Sequence, residues 1–166
     1  MIVGGNKEKK YMKFRIYQLF YVAAVALLIA ALCMPVTQFI EASGATALMT
    51  NFSLQQPDGS SSYVVCALGV VLIFAALVNV FGLLISFFQN FELQKRVAIL
   101  SVLLLTGYYL LLLIFSLLLI EGVSLSLMVA AIFPLIALVL NVMSFLSTRR
   151  TEAKILASAS GFRLRD

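Results

Sequence analysis

The chain has 166 residues, of which 63% are hydrophobic and only 11% are charged, and its formal net charge is +5. This composition leaves too little polar surface to cover a water-soluble domain of the same size. The sequence has no histidine and two cysteines, without a CxxC or Cys/His spacing, so none of the common metal sites is expected.

Four apolar runs are each long enough to cross a bilayer, which takes about 20 mostly apolar residues. They occupy residues 16–36, 63–88, 97–120 and 125–147. The first run is too long for the apolar part of a signal peptide, and no small-x-small cleavage site follows it. The sequence therefore predicts an all-α membrane protein, an antiparallel bundle of four transmembrane helices within residues 12–148. Residues 1–11 are polar, basic and glycine-containing, and we expect a disordered lead there.

Small and polar residues recur at steps of three and four in each run, which places them on one face of each helix. The four predicted faces are Ala23, Ala26, Ala30, Cys33 and Thr37; Leu72, Ala75, Asn79, Gly82 and Ser86; Val102, Thr106, Tyr109, Leu113 and Ser116; and Ala130, Pro134, Ala137, Asn141, Ser144 and Thr148. Small residues let helices approach closely in a bilayer. We therefore expect these faces to pack together, with Pro134 kinking the fourth helix. The expected polar centre consists of Asn79, Thr106, Tyr109, Asn141 and Ser144.

The basic residues predict the orientation of the chain. All 12 lie in three segments: residues 7–15, Lys95 and Arg96 in the middle connection, and residues 149–165. The other two connections carry only acidic charges, so the positive-inside rule places both termini in the cytoplasm. The basic surplus thus indicates membrane topology and attraction to anionic lipid, and not a nucleic-acid site.

The tail, residues 149–166, has the pattern of a basic amphipathic helix that lies on the inner membrane surface and ends at Gly161. Five cations of this tail are expected to contact anionic headgroups or a protein partner: Arg149, Arg150, Lys154, Arg163 and Arg165. At the other terminus, Tyr17 and Tyr21 lie among lysines and arginines, which is typical of the headgroup zone.

Residues 36–62 contain glycine, proline and a serine run, and we expect a loop there with at most a small hairpin. Asn51-Phe52-Ser53 fits the glycosylation sequon, although such short matches often arise by chance. Cys33 and Cys66 both approach the outer side. The pair is interpreted either as a disulfide or as two free thiols that serve as small apolar residues.

Residues that could carry chemistry are scarce. The four runs contain no ionisable residue of the kind that marks ion paths or proton relays in membranes. The sequence has no GxSxG, HExxH, P-loop or GxGxxG motif, and we expect neither an enzyme nor a cofactor. The favoured function is a structural or accessory subunit that packs in a larger membrane complex or as a homo-oligomer. The alternative is a small oligomeric transporter or channel for an uncharged solute, bound by Asn79, Tyr109 and Asn141.

Several segments resemble a known family. They are MKFRIYQLFYVAAVALLIAALCMPV, NFELQKR, LLLTGYYLLLLIF, FPLIALVLN and the terminal RLR. Together they resemble the four-span inner-membrane family of Bacteroidota called domain of unknown function 4293. Its members have Met-x-x-Arg-Ile, Gln-x-Arg and Gly-Tyr-Tyr patterns, matched here at Met12 to Ile16, Gln94 to Arg96 and Gly107 to Tyr109. The tail departs from the family's acidic and basic run. The resemblance implies a multi-pass protein of the bacterial inner membrane and no particular activity.

Overall fold

The fold is described from a computed structural model of the chain. The structure describes residues 16–41, 44–88, 90–119 and 123–163. Three sequence predictions lie outside these residues: the disordered lead 1–11, the lysines and arginine before residue 16, and the contact assigned to Arg165.

Four α-helices make up most of the described chain: α1 Ile16–Cys33, α2 Cys66–Phe87, α3 Phe91–Leu119 and α4 Ile132–Arg163. The helices α2, α3 and α4 are long and apolar enough to cross a membrane, which confirms three of the predicted spans by length and composition. The first helix is apolar but shorter. Each helix packs against its neighbours in sequence, and α1 also packs against α4.

Five short strands form an antiparallel sheet at one end of the helices. They are β1 Thr37–Glu41, β2 Thr46–Met49, β3 Leu54–Gln55, β4 Ser61–Ser62 and β5 Val123–Leu127, in the order β4-β3-β2-β1-β5. The chain is mostly helical with four helices, as expected, and β1 and β2 form a hairpin within the expected loop. The strictly all-α class is wrong, because these strands belong to a five-stranded sheet. The pairing of β1 with β5, as in Phe39 opposite Leu125, joins residues far apart in sequence. No local pattern in residues 36–62 reveals that partner.

The strand β5 also corrects the start of the fourth span. Residues 125–127 belong to the sheet, a single 3₁₀ turn follows at Val129–Ala131, and α4 begins only at Ile132. Pro134 consequently lies in the first turn of α4, where backbone N–H groups have no intrahelical partner. The predicted kink is wrong because a proline at this position interrupts no helical hydrogen bond.

The tail belongs to α4, which continues without a break past Gly161 to Arg163. The tail is helical as predicted, but it is not a separate surface helix, and Gly161 does not end it. At 1.5 Å per residue the 32 residues of α4 extend about 48 Å, more than the roughly 30 Å hydrocarbon layer of a bilayer.

The two ends of the molecule differ in chemistry. The sheet end contains the end of α1, the start of α2, the end of α3 and the start of α4, and a Pro57-Asp58-Gly59 turn connects β3 to β4 there. Gly59 has a φ of 81°, a conformation that favours glycine. The opposite end, called the basic end below, carries the lysines and arginines of the described chain: Lys95, Arg96, Arg149, Arg150, Lys154 and Arg163.

Candidate functional site

The buried faces of α2 and α4 are those expected from the sequence. The predicted α2 residues Leu72, Ala75, Asn79, Gly82 and Ser86 are all buried. So are all six predicted residues on and before α4, from Ala130 to Thr148. Each face includes one asparagine, and an amide in an apolar helix has a strong reason to point at protein because lipid offers it no hydrogen-bond partner.

The faces predicted for α1 and α3 are wrong by about one position over most of their length, although Ser116 of the predicted α3 face is buried as expected. In α1 the alanines Ala23 and Ala26 are exposed, while the interior takes Tyr17, Tyr21, Ala24, Leu28 and Ala31. In α3 the interior takes Gln94, Ala98, Ser101, Leu105, Tyr108 and Leu112. The tyrosines of α1 are therefore core residues and not headgroup anchors. Small residues occur around much of α1, so their spacing alone does not identify its buried face.

Asn79 connects α2 to α3 through Ser101, a residue that the sequence analysis missed. Its Nδ2 donates to Ser101 Oγ at 2.7 Å and to the carbonyl of Ala75 at 2.8 Å. Both side chains are fully buried. The signal available in the sequence was Ser101 itself, the one hydroxyl residue in the first half of α3.

Tyr21 connects α1 to the other three helices. Its hydroxyl donates to the backbone carbonyl of Gln94 in α3 at 3.4 Å and lies beside the Ser144 hydroxyl of α4. Its ring packs over Gly82 of α2, where a Cβ would come within 2.7 Å of a ring carbon. Gly82 therefore provides the space in which Tyr21 crosses the interior.

The half of the interior nearer the basic end thus contains a set of buried polar side chains, called the polar layer below: Tyr21, Asn79, Gln94, Ser101, Asn141 and Ser144. All six side chains are at most 1% exposed. Asn141 donates to the carbonyl of Ala137 in its own helix. The structure places Asn79, Asn141 and Ser144 of the expected polar centre in this layer.

Tyr109 and Thr106 do not belong to this layer. Tyr109 is half-buried and donates to the Ala131 carbonyl at 2.6 Å, which ties α3 to the start of α4. Thr106 is exposed and donates to Val102 in its own helix. Tyr109 is eight residues, or about 12 Å, beyond Ser101 on α3, so the expected contact between Asn79 and Tyr109 is not made. The tyrosine that fills the interior is Tyr108.

Asn51, whose match to the glycosylation sequon is noted above, is fully buried at the sheet end. Its Nδ2 donates to the Ala31 carbonyl near the end of α1 at 2.7 Å, and its Oδ1 accepts from the Tyr108 hydroxyl at 2.9 Å. Its backbone carbonyl accepts from the Gly69 N–H in the first turn of α2 at 2.7 Å. Asn51 thus bonds to backbone groups at two helix ends that have no partner within their own helices, and it also bonds to Tyr108 of α3.

The basic end contains an ion pair between two helices. Lys95 Nζ of α3 lies 2.9 Å from Glu152 Oε2 of α4, and the two side chains are 25% and 28% exposed. Arg149 lies over the ring of Phe145 at 5.8 Å, and Arg150 and Lys154 are exposed. These three cations are free of protein ion pairs within the described residues.

An apolar cleft of about 650 Å³ lies between α3 and α4 on the side nearer the sheet end. Its lining is formed by Tyr109, Leu112, Leu113, Ser116, Met128, Val129, Ala131, Ile132 and Leu135. Leu113, Val129, Ile132 and Leu135 are each at least half exposed. The cleft therefore opens on the apolar outer surface of the helices.

Metal and disulfide chemistry find no support in the described part of the chain. No group of three or more histidine, cysteine, aspartate or glutamate side chains lies together there. Cys33 and Cys66 are both exposed and free, so the interpretation as free thiols is the one that the structure supports.

Three long apolar helices, an apolar outer surface and a buried polar layer together define a helical membrane protein. The family described as Domain of unknown function (DUF4293) matches residues 14–157. The chain belongs to this family, as its sequence resemblance implied. A search of the curated proteins finds no match to the chain.

Proposed function

We propose that the chain crosses the bacterial inner membrane four times, with both termini in the cytoplasm. The support for a fourth span is that α1 runs beside the other helices from the polar layer to the sheet end. Tyr21 contacts Gln94 in the polar layer, and Ala31 contacts Asn51 at the sheet end. The support for the orientation is the position of the basic residues, because the described ones lie at the end opposite the sheet. On this proposal the sheet faces the periplasm.

Within that membrane the chain acts as a structural or accessory subunit, which packs through its apolar surface against another membrane protein or a second copy. The observation that carries this proposal is the cleft between α3 and α4. Its wall is mostly leucine, isoleucine, valine and alanine, and it is large enough to take side chains of a neighbouring transmembrane helix. The exposed Arg149, Arg150 and Lys154 contact anionic headgroups or the partner's cytoplasmic surface.

Site-specific photocrosslinking in native membranes tests this assignment. A photoreactive phenylalanine analogue replaces Leu113 in the cleft or Leu77 on α2, two leucines that are 56% and 58% exposed. Crosslinks to a defined protein from position 113, with only lipid adducts from position 77, are the expected result. Equal labelling patterns at both positions contradict the proposal. The mass of the crosslinked product distinguishes a second copy from a different protein.

The alternative, a transporter or channel for an uncharged solute, has one observation in its favour. The polar layer contains three buried amide side chains on three helices. Toward the sheet end, however, Leu28, Leu72, Leu105 and Tyr108 are fully buried in one core, so side chains fill the interior beyond the layer. Flux of glycerol or urea into liposomes that contain the purified protein tests the alternative. Flux above that of empty liposomes, lost in Asn79→Leu, would favour the transporter.

A further inference from the structure

The polar layer contains hydrogen-bonding atoms that no protein group satisfies. Asn79 Oδ1, Asn141 Oδ1 and both amide atoms of Gln94 are buried without a protein partner. The three side chains are at most 1% exposed, so bulk solvent does not reach them. An unsatisfied polar group is costly in any protein interior, and within a bilayer no outside solvent can compensate for it.

Two of the three amides, Asn79 and Asn141, lie at nearly the same level on facing helices, whereas Gln94 lies seven residues, or about 10 Å, nearer the basic end of α3 than Ser101. Asn79 bonds to Ser101 on α3, while Ala98, Val102, Val142 and Phe145 line one small cavity between α3 and α4. Asn141 is therefore within about one helical turn of Ser101 in height. Tyr21 contacts Gln94 and Gly82, and Gly82 is one turn from Asn79.

The set of unsatisfied atoms indicates the chemistry of the ligand. Three amide oxygens require donors, and the amide nitrogen of Gln94 requires an acceptor. A metal cation would satisfy the oxygens but not the nitrogen, and a charge at this depth lacks any carboxylate partner in the layer. A small neutral molecule that both donates and accepts satisfies all of them.

We propose that the polar layer binds ordered water molecules at two levels, one set between Asn79 and Asn141 and the other at the Gln94 amide beside Tyr21. Buried waters typically make about three hydrogen bonds to polar groups that would otherwise be unsatisfied. Tyr21, whose hydroxyl contacts the Gln94 carbonyl, borders the waters at Gln94. The site holds the helices in register at the basic half in the way that Asn51 does at the sheet end.

X-ray hydroxyl-radical footprinting of the full chain in nanodiscs tests this proposal, because radicals formed from bound water oxidise the side chains beside it. Tyr21 and Tyr108 form a matched pair: both are fully buried tyrosines, but the Tyr108 hydroxyl is satisfied by Asn51. We expect several-fold more oxidation of Tyr21 than of Tyr108, with ¹⁸O incorporated from labelled water. Equal protection of the two rings would overturn the proposal.

Two variants determine whether the oxidation comes from this site. Gln94→Leu and the milder Gln94→Met remove the hydrogen-bonding atoms and are expected to lower Tyr21 oxidation toward that of Tyr108. Thr106→Val, outside the layer on an exposed position of α3, is the matched control and is expected to leave it unchanged. Unchanged Tyr21 oxidation in a folded Gln94→Leu or Gln94→Met protein would also overturn the proposal, since local opening would then explain the labelling.

Discussion

The hydroxyl of Tyr108 donates to Oδ1 of Asn51 at 2.9 Å and joins the middle of α3 to the turn between β2 and β3. The same amide holds the Ala31 carbonyl through its nitrogen. The short strands β1 to β4 are therefore fixed to the ends of α1 and α2 and to the side of α3. This explains how strands of two to five residues remain ordered on top of the helices.

Asn51→Ala is expected to lower the free energy of unfolding by about 2–4 kcal/mol. The Ala31 carbonyl and the Tyr108 hydroxyl each lose their partner, and an unsatisfied buried polar group costs about 1–3 kcal/mol. Thermal or SDS-induced unfolding in detergent, followed by circular dichroism, measures the loss.

Tyr108→Phe separates the two contributions of Asn51. It removes only one hydrogen bond and is expected to cost about 1 kcal/mol. The double variant should be less destabilised than the sum of the two, because both changes break the same bond. Additive effects would mean that Asn51 and Tyr108 do not interact in the membrane-embedded protein.

Gly82→Ala is expected to destabilise the protein by about 1–3 kcal/mol, because an added methyl group meets the ring of Tyr21 and Val97 in a packed interior. The new Cβ would lie 2.7 Å from one Tyr21 carbon and 3.1 Å from a Val97 methyl. Gly107→Ala is the matched control. No atom lies within 4 Å of its added Cβ, and the variant should be neutral or stabilised by up to about 1 kcal/mol through helix propensity.

The thermal midpoints of the two glycine variants provide the comparison. If Gly82→Ala unfolds at a higher temperature than Gly107→Ala, the ring of Tyr21 does not lie over Gly82.

A double-mutant cycle between Asn79→Ala and Ser101→Ala should give a coupling energy of about 0.6 kcal/mol and at most about 1.7 kcal/mol, the range measured for hydrogen bonds between membrane helices. The bond of 2.7 Å between these side chains is the reason. The cycle of Asn79→Ala with Tyr109→Phe should give none, since the Tyr109 hydroxyl is occupied by Ala131. A coupling found only between Asn79 and Tyr109 would mean that α3 is rotated about its axis, with Tyr109 and not Ser101 facing α2.

The helix faces show how far the sequence determines the fold. An asparagine identified the buried faces of α2 and α4, because an amide in an apolar helix has few acceptable environments. On α1 and α3 the spacing of alanine and threonine was misleading, and Thr106 in fact bonds to its own helix. Tyr21, Gln94 and Ser101 were better indicators of the buried faces of α1 and α3. Residues of these types also occur at membrane surfaces or on lipid-facing helices, so the sequence did not single them out.

The sheet and the contacts at the sheet end could not be predicted from local sequence patterns, because they join residues far apart in the chain. Gln38 pairs with Ser126 across about half of the chain, and the contact between Asn51 and Tyr108 depends on the packing of α1, α2 and α3. In sequence, Asn51 is one polar residue in a loop-like segment. Its role depends on tertiary contacts that no periodicity within residues 36–62 encodes.

The ion pair between Lys95 and Glu152 is expected to fix α4 where it passes the first turns of α3. Past Glu152 the helix continues to Arg163, a further 16 Å or about three turns. Glu152→Gln removes the charge while keeping the side-chain shape, and a spin label at the exposed Ala153 should then become more mobile. The expected change in free energy is small, about 0.3–1 kcal/mol for a pair this close to solvent.

Salt and charge exchange provide the controls for this last prediction. Raising the ionic strength should increase label mobility in the unmodified pair and leave Glu152→Gln unaffected, because salt screens only the charged pair. The exchanged pair Lys95→Glu with Glu152→Lys should restore the low mobility, whereas either single reversal should not. If the exchanged pair is as mobile as Glu152→Gln, the attraction between these two charges is not what holds the helix, and packing around Phe145 and Thr148 has to carry that role.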